Sequence, residues 1–280
     1  MQRVAVAEAK SKSLAYTITG YVVLIGSVAA FLLAPINSNN ALLILPIILV
    51  ALFVAMMMFE KGGRLRIKSA AQLLASDRRP PVIYLRSFAD ETAHSSDRPM
   101  HERLRHIFGY SLPGVQNSWR PREQHALSNC LGRIGPYIAI GRPGEPLPEF
   151  GAGRRYVPDE DWQRVVTELI ENAGAIVIDG GTTAGLRWEL LEAVLRAPPT
   201  KLLIVVPAWP TEYAMFQAWA NKVLLFPLPE KMPKSRLVMF AFDGTPVPLE
   251  PYPRTLPSLL GTLRPFLEQN GVRLSRWETG

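Results

Sequence analysis

Two long stretches without a charged side chain open the chain, at residues 14–34 and 41–59. As a helix, each is about long enough to cross a hydrocarbon core of ~30 Å. Between them Pro35-Ile36-Asn37-Ser38-Asn39-Asn40 forms a polar, uncharged turn, and Lys and Arg stand on the outer flanks of both stretches. Basic residues mark the cytoplasmic side of a membrane segment. The pattern therefore predicts a two-helix transmembrane hairpin over residues 1–61, multi-pass in the plasma membrane, with both termini cytoplasmic. The first stretch lacks a small-residue cleavage site and is followed at once by a second, which argues against a removed signal peptide. Pro46 is expected to kink the second span without breaking it.

Residues 62–80 change character. Leu65, Ile67, Ala70, Ala71 and Leu74 share a helical face beside Arg64, Arg66 and Lys68. This predicts a basic juxtamembrane helix or linker, either lying at the headgroups or solvated. Asp77-Arg78-Arg79-Pro80-Pro81 stops it, because the residue before proline is pushed out of the helical region.

From residue 81 to 280, short apolar runs alternate with amphipathic stretches. Runs at 82–86, 137–140, 175–179, 202–206 and 237–242 are almost continuously apolar, as parallel strands covered on both faces are. Trp162, Val165, Val166, Leu169 and Ile170 repeat at helical spacing, and Ala126, Leu127, Cys130, Leu131 and Ile134 make a similar face. Further helices are expected after Thr183, near 210–223, and from about 255 with a kink at Pro265. Strand–helix alternation predicts a three-layer α/β domain built on a parallel sheet. The connections 89–121 and 141–157 are long enough to carry function or additional elements.

The net charge of +7 does not point to nucleic acid. Residues 1–68 hold seven Lys/Arg against two Glu, so +5 of the excess lies beside the apolar stretches and only +2 on the remaining 212 residues. The single cysteine, Cys130, excludes an intramolecular disulfide framework and a four-cysteine metal site. It sits on an apolar stripe, as a buried inert thiol would. His94, His101, His106 and His125 lack metal-binding spacing, so no metal is expected. Walker, GxSxG and GxGxxG signatures are missing.

In open parallel sheets, ligands bind beyond the carboxyl ends of the strands. That directs attention to Arg86-Ser87-Phe88, to Gly141-Arg142, to Asp179-Gly180-Gly181-Thr182-Thr183 and to Pro207-Ala208-Trp209. Two glycines before a helix can bring backbone amides close to a phosphate, or can simply satisfy a tight turn. In the helix that follows, Leu186 and Leu190 mark the buried side. Glu189 and Glu192 are therefore expected toward the crevice edge or solvent, where a carboxylate beside Trp188 can oppose a developing oxocarbenium charge. Gly151-Ala152-Gly153-Arg154-Arg155 reads as a loop over the end of the second strand.

Tyr84-Leu85-Arg86-Ser87-Phe88-Ala89-Asp90-Glu91 and Trp188-Glu189-Leu190 together resemble the Toll/interleukin-1 receptor (TIR) family, over roughly residues 82–206. The resemblance implies a flavodoxin-like, TIR-like domain with a five-stranded parallel sheet and self-association into a homo-oligomer. It also implies cleavage of NAD on clustering, in signalling or defence. Glu189 would be catalytic for its Glu-Leu context, with Glu192, four residues after the tryptophan, as the alternative. Ser87, Phe88, Arg142, Gly180, Gly181, Thr182 and Trp188 would line the nucleotide site, with NAD or a related nucleotide as substrate or ligand and no required cofactor. Gly180-Gly181-Thr182-Thr183 departs from the family's usual serine and tyrosine positions before the tryptophan, which leaves a non-catalytic nucleotide-sensing or self-assembly module as the other expectation.

Overall fold

The computed structural model describes residues 2–33, 38–64, 69–86, 121–141, 152–158, 160–207, 209–251 and 256–275. The chain divides into two compact units, one made chiefly of residues 1–68 and the other of the rest.

The first unit is a pair of helices, α1 (Gln2–Leu33) and α2 (Ser38–Arg64), with Pro46 inside α2. Small and hydroxyl-bearing residues line their contact. Ser13 is buried and its Oγ donates to the Gly62 carbonyl at 2.8 Å, while the Tyr21 and Phe59 rings meet edge to face at 4.9 Å. Such residues let helices approach closely without relying on a hydrophobic drive. The outward surface is apolar: Leu14, Ile18, Val22, Ile25, Ile47 and Val50 are all exposed, Ile47 to 67%. Among the described residues, one helical stretch, Ser11–Ala30, is long and apolar enough to cross a membrane. Within α2 the described residues give a shorter apolar helical stretch, Pro46–Phe59.

The second unit begins with α3 (Ala70–Ser76), opened by a capping box in which Ser69 and Gln72 satisfy each other's backbone amides. Of the helix expected from Gly62 to Ser76, the part from the Ser69 cap onward is described as α3, and residues 65–68 lie outside the described residues. Ala70 is buried, and α3 packs on the sheet edge rather than standing as a solvated linker.

The sheet follows: β1 (Val82–Arg86), α4 (Pro121–Leu131), β2 (Tyr137–Gly141), β3 (Gly153–Tyr156), α5 (Trp162–Glu171), β4 (Ala175–Asp179), α6 (Ala184–Arg196), β5 (Leu202–Val205), α7 (Pro210–Ala220), β6 (Leu237–Phe240), β7 (Pro246–Pro248) and α8 (Leu256–Gln269). Among the described residues it has seven strands in the order β3-β2-β1-β4-β5-β6-β7, not five. Strands β1 to β5 run parallel, whereas β6 and β7 add antiparallel to the far edge. Two expectations are corrected here. Residues 153–156, read as loop, form an edge strand beside β2, where Gly153 leaves room for Leu73 of α3. The run 237–242 is a shorter strand that turns back on β5 and does not extend the parallel set.

Alternate side chains of the central strands feed two cores. Ile83, Leu85, Ile176, Ile178 and Ile204 pack under α5, α6 and α7. Val82, Tyr84, Val177, Leu203 and Val205 pack under α4 and α8. Cys130 lies in the second core, as expected of an inert thiol, and burial pushes its pKa up to about 11.

Candidate functional site at the switch point of the sheet

From β1 the chain proceeds to β2 and β3 in one direction, then returns to β4 on the other side of β1. That reversal places a topological switch point between the carboxyl ends of β1 and β4. β1 ends at Arg86 and β4 at Asp179, and the two are register partners. Ser87, Phe88 and Arg142 lie outside the described residues.

Beyond Asp179 the first of the two glycines serves the junction between strands. The Gly180 amide donates to the Val205 carbonyl at 2.8 Å, tying the end of β4 to β5. A Cβ at Gly180 would stand 2.7 Å from Pro207 Cδ and 3.0 Å from the Val205 oxygen. Glycine is required there by close packing, and its amide is engaged in joining β4 to β5. Gly181 is buried and Thr182 exposed. Thr183 caps α6, its side chain accepting from the Leu186 amide at 3.4 Å.

α6 places the two candidate glutamates in opposite situations. Leu186, Glu189, Leu190 and Ala193 form its buried stripe. Glu189 therefore does not face solvent; it is 2% exposed. The spacing explains the correction: residue 189 is three after Leu186 and four before Ala193, both of which are buried. Its Oε2 has no hydrogen-bond partner among the described residues, and burial alone pushes its pKa up to about 8. At neutral pH this carboxyl is mostly protonated.

Glu192 is tied into a surface network instead. It accepts from Arg196 at 2.6 Å and from Thr167 at 3.4 Å, and Arg196 also reaches Glu171 at 2.6 Å. These bonds fasten α6 to α5, which is a structural role. Trp188 stands half-buried against Trp162, with ring centroids 4.8 Å apart and planes inclined at 48°. Gly185 borders the Trp162 ring, which lies 3.6 Å from the point where a Cβ would stand.

On the other face of the sheet, sequence reasoning missed a polar group. The Tyr84 hydroxyl donates to Asp179 Oδ2 at 2.6 Å, and the Gln124 amide donates to the Tyr84 oxygen at 3.4 Å. Tyr84 is held well above the ordinary phenol range by burial and then by the Asp179 charge, so it stays a neutral donor. An aspartate as the last residue of an apolar strand was the available signal, but nothing local pairs it with a tyrosine 95 residues earlier. Among the described residues no group of three His, Cys, Asp or Glu could hold a metal ion.

Comparison of the chain with protein-family models, with curated proteins and with solved structures finds no match.

Proposed function

We propose that the chain is a membrane-anchored, TIR-like signalling or defence effector whose α/β domain cleaves the nicotinamide glycosidic bond of NAD when domains cluster. The observation that carries this reading is Glu189. Its carboxyl is buried, its Oε2 finds no partner among the described residues, and it lies on the helix that leads from the switch point, next in sequence to the Trp188 of the tryptophan pair. An unsatisfied carboxyl in an apolar stripe costs stability, and perturbed acids of this kind concentrate at functional sites.

The chemistry follows from its protonation. A neutral Glu189 gives no charge stabilisation, so a lone domain is at rest. The oxidised nicotinamide ring is cationic, and a positive charge brought beside a raised carboxyl lowers its pKa. Glu189 would then ionise and oppose the ribosyl cation as nicotinamide leaves, with water adding to give ADP-ribose, nicotinamide and a proton. Clustering would supply the rearrangement that admits substrate to the buried stripe. The anchor is the apolar helical pair: exposed side chains such as Ile25 and Ile47 form a surface suited to lipid, and the basic flanks set a cytoplasmic orientation for both ends.

The test is density. The full chain reconstituted in liposomes at high and low protein-to-lipid ratio should consume NAD only in the dense preparation. Equal absence at both densities would leave self-assembly without catalysis as the function. Labelling of a Ser11→Cys variant from outside intact cells would overturn the proposed orientation.

A further inference from the structure

We propose that Tyr84 and Asp179 form a hydroxyl-binding site for the sugar of a nucleotide, at the switch point and on the face of the sheet opposite Glu189. This rests on the reading above and deepens it by naming how the ligand's sugar is held.

The two central strands are apolar throughout except at this end. Val82, Ile83, Leu85 and the run Ala175 to Ile178 are fully buried apolar residues, yet Tyr84, Arg86 and Asp179 bring three polar side chains together where β1 and β4 finish. Open α/β sheets bind ligands at this position. Asp179 is half-buried and Tyr84 is 6% exposed, so the carboxylate is the group that reaches the surface and the phenol sits behind it. The Tyr84 hydroxyl donates a hydrogen bond to Asp179 and accepts one from Gln124. Tyr84 is thus a positioning residue that fixes the carboxylate, and Asp179 is the one that meets the ligand.

Charge selects the ligand's chemistry. A carboxylate accepts hydrogen bonds and repels phosphate. Arg86 ends the neighbouring strand in register with it, so a positive charge already stands at this end of the sheet and a second cation is disfavoured. No third metal-ligating side chain joins it among the described residues. What remains is a neutral group rich in O–H donors, and the vicinal diol of a ribose presents two at the spacing of one carboxylate.

The test measures binding to the full chain in detergent, with adenosine 5′-monophosphate and its 2′,3′-dideoxy analogue as probes. Wild type should bind the ribose form about 10–100-fold more tightly, the difference expected when hydrogen bonds to a charged group are removed. Asp179→Asn should abolish that preference, weakening the ribose form without changing the dideoxy form. Tyr84→Phe should weaken it by a smaller factor. Because the comparison of the two probes uses wild-type protein, a variant that fails to fold does not blunt it. Equal affinity for both probes, binding of neither, or an Asp179→Asn variant with unchanged preference would overturn the proposal. NAD cleavage with a KM indifferent to Asp179→Asn would sink this inference alone, whereas diol-dependent binding without NAD cleavage would sink only the enzymatic reading.

Discussion

Replacing Glu189 by Gln should change how stability depends on pH, in a direction fixed by the buried carboxyl. Folding raises this group from its ordinary 4.5 to about 8. Between those values the folded chain keeps the proton while the unfolded chain has lost it. Unfolding therefore releases a proton, and stability falls as pH rises, by about 1.4 kcal/mol per pH unit for one such group. From pH 5 to pH 8 the accumulated loss is roughly 4 kcal/mol. Below 4.5 the group is neutral in both states and contributes no slope; above 8 it ionises in both and the slope vanishes again. A glutamine side chain has the shape of the protonated acid without its titration, so the Glu189→Gln variant should match wild type at pH 5 and exceed it progressively toward pH 8. Urea unfolding of the full chain in detergent, followed by tryptophan fluorescence, measures this directly. All six tryptophans lie beyond residue 68, so the signal reports the α/β unit and not the helical pair. Stability curves of wild type and Glu189→Gln that run parallel from pH 5 to pH 8 would refute the burial of a neutral Glu189.

Three further outcomes follow from the packing. Leu190→Ala, at a fully buried position of α6, should destabilise by about 2–5 kcal/mol, whereas Leu195→Ala, at a site 69% exposed, should change stability by less than about 0.5 kcal/mol; chemical denaturation of both variants checks which face of the helix is inward. Gly135→Ala would place a Cβ 2.0 Å from the Pro80 carbonyl oxygen, where backbone must move, and should lower stability by on the order of 3 kcal/mol in the same assay. Cys130, its pKa held up at about 11 in the core, should resist iodoacetamide at pH 8 in the folded chain and react on addition of urea, read by mass spectrometry.

The central strands β1, β2, β4 and β5 were legible because both faces of each are covered, which demands unbroken apolar runs. β3 was not, since Gly153-Arg154-Arg155-Tyr156 lies at an edge and carries polar residues that read as loop. Nor does an apolar run encode strand direction: β6 turns back to pair antiparallel with β5, and only the tertiary structure decides that. At the site, the α6 stripe was legible from Leu186 and Leu190, but a glutamate between them was read outward because charged groups ordinarily stay in water. Its burial is the feature that departs from the local rule, and such departures gather at functional positions. Gly180 illustrates the converse, a residue suggestive of phosphate binding whose amide and missing Cβ serve the junction of β4 with β5.

The central claim, that Glu189 is the working carboxyl of a clustering-activated NAD-cleaving domain, is tested most directly by nicotinamide release from full-length chains densely reconstituted in liposomes. Wild type should release nicotinamide and ADP-ribose in equal amounts. Glu189→Gln should do so on the order of 10²–10³-fold more slowly, the usual cost of removing one preorganised electrostatic group. Release by Glu189→Gln at the wild-type rate, or no release by wild type at any density, would contradict the account.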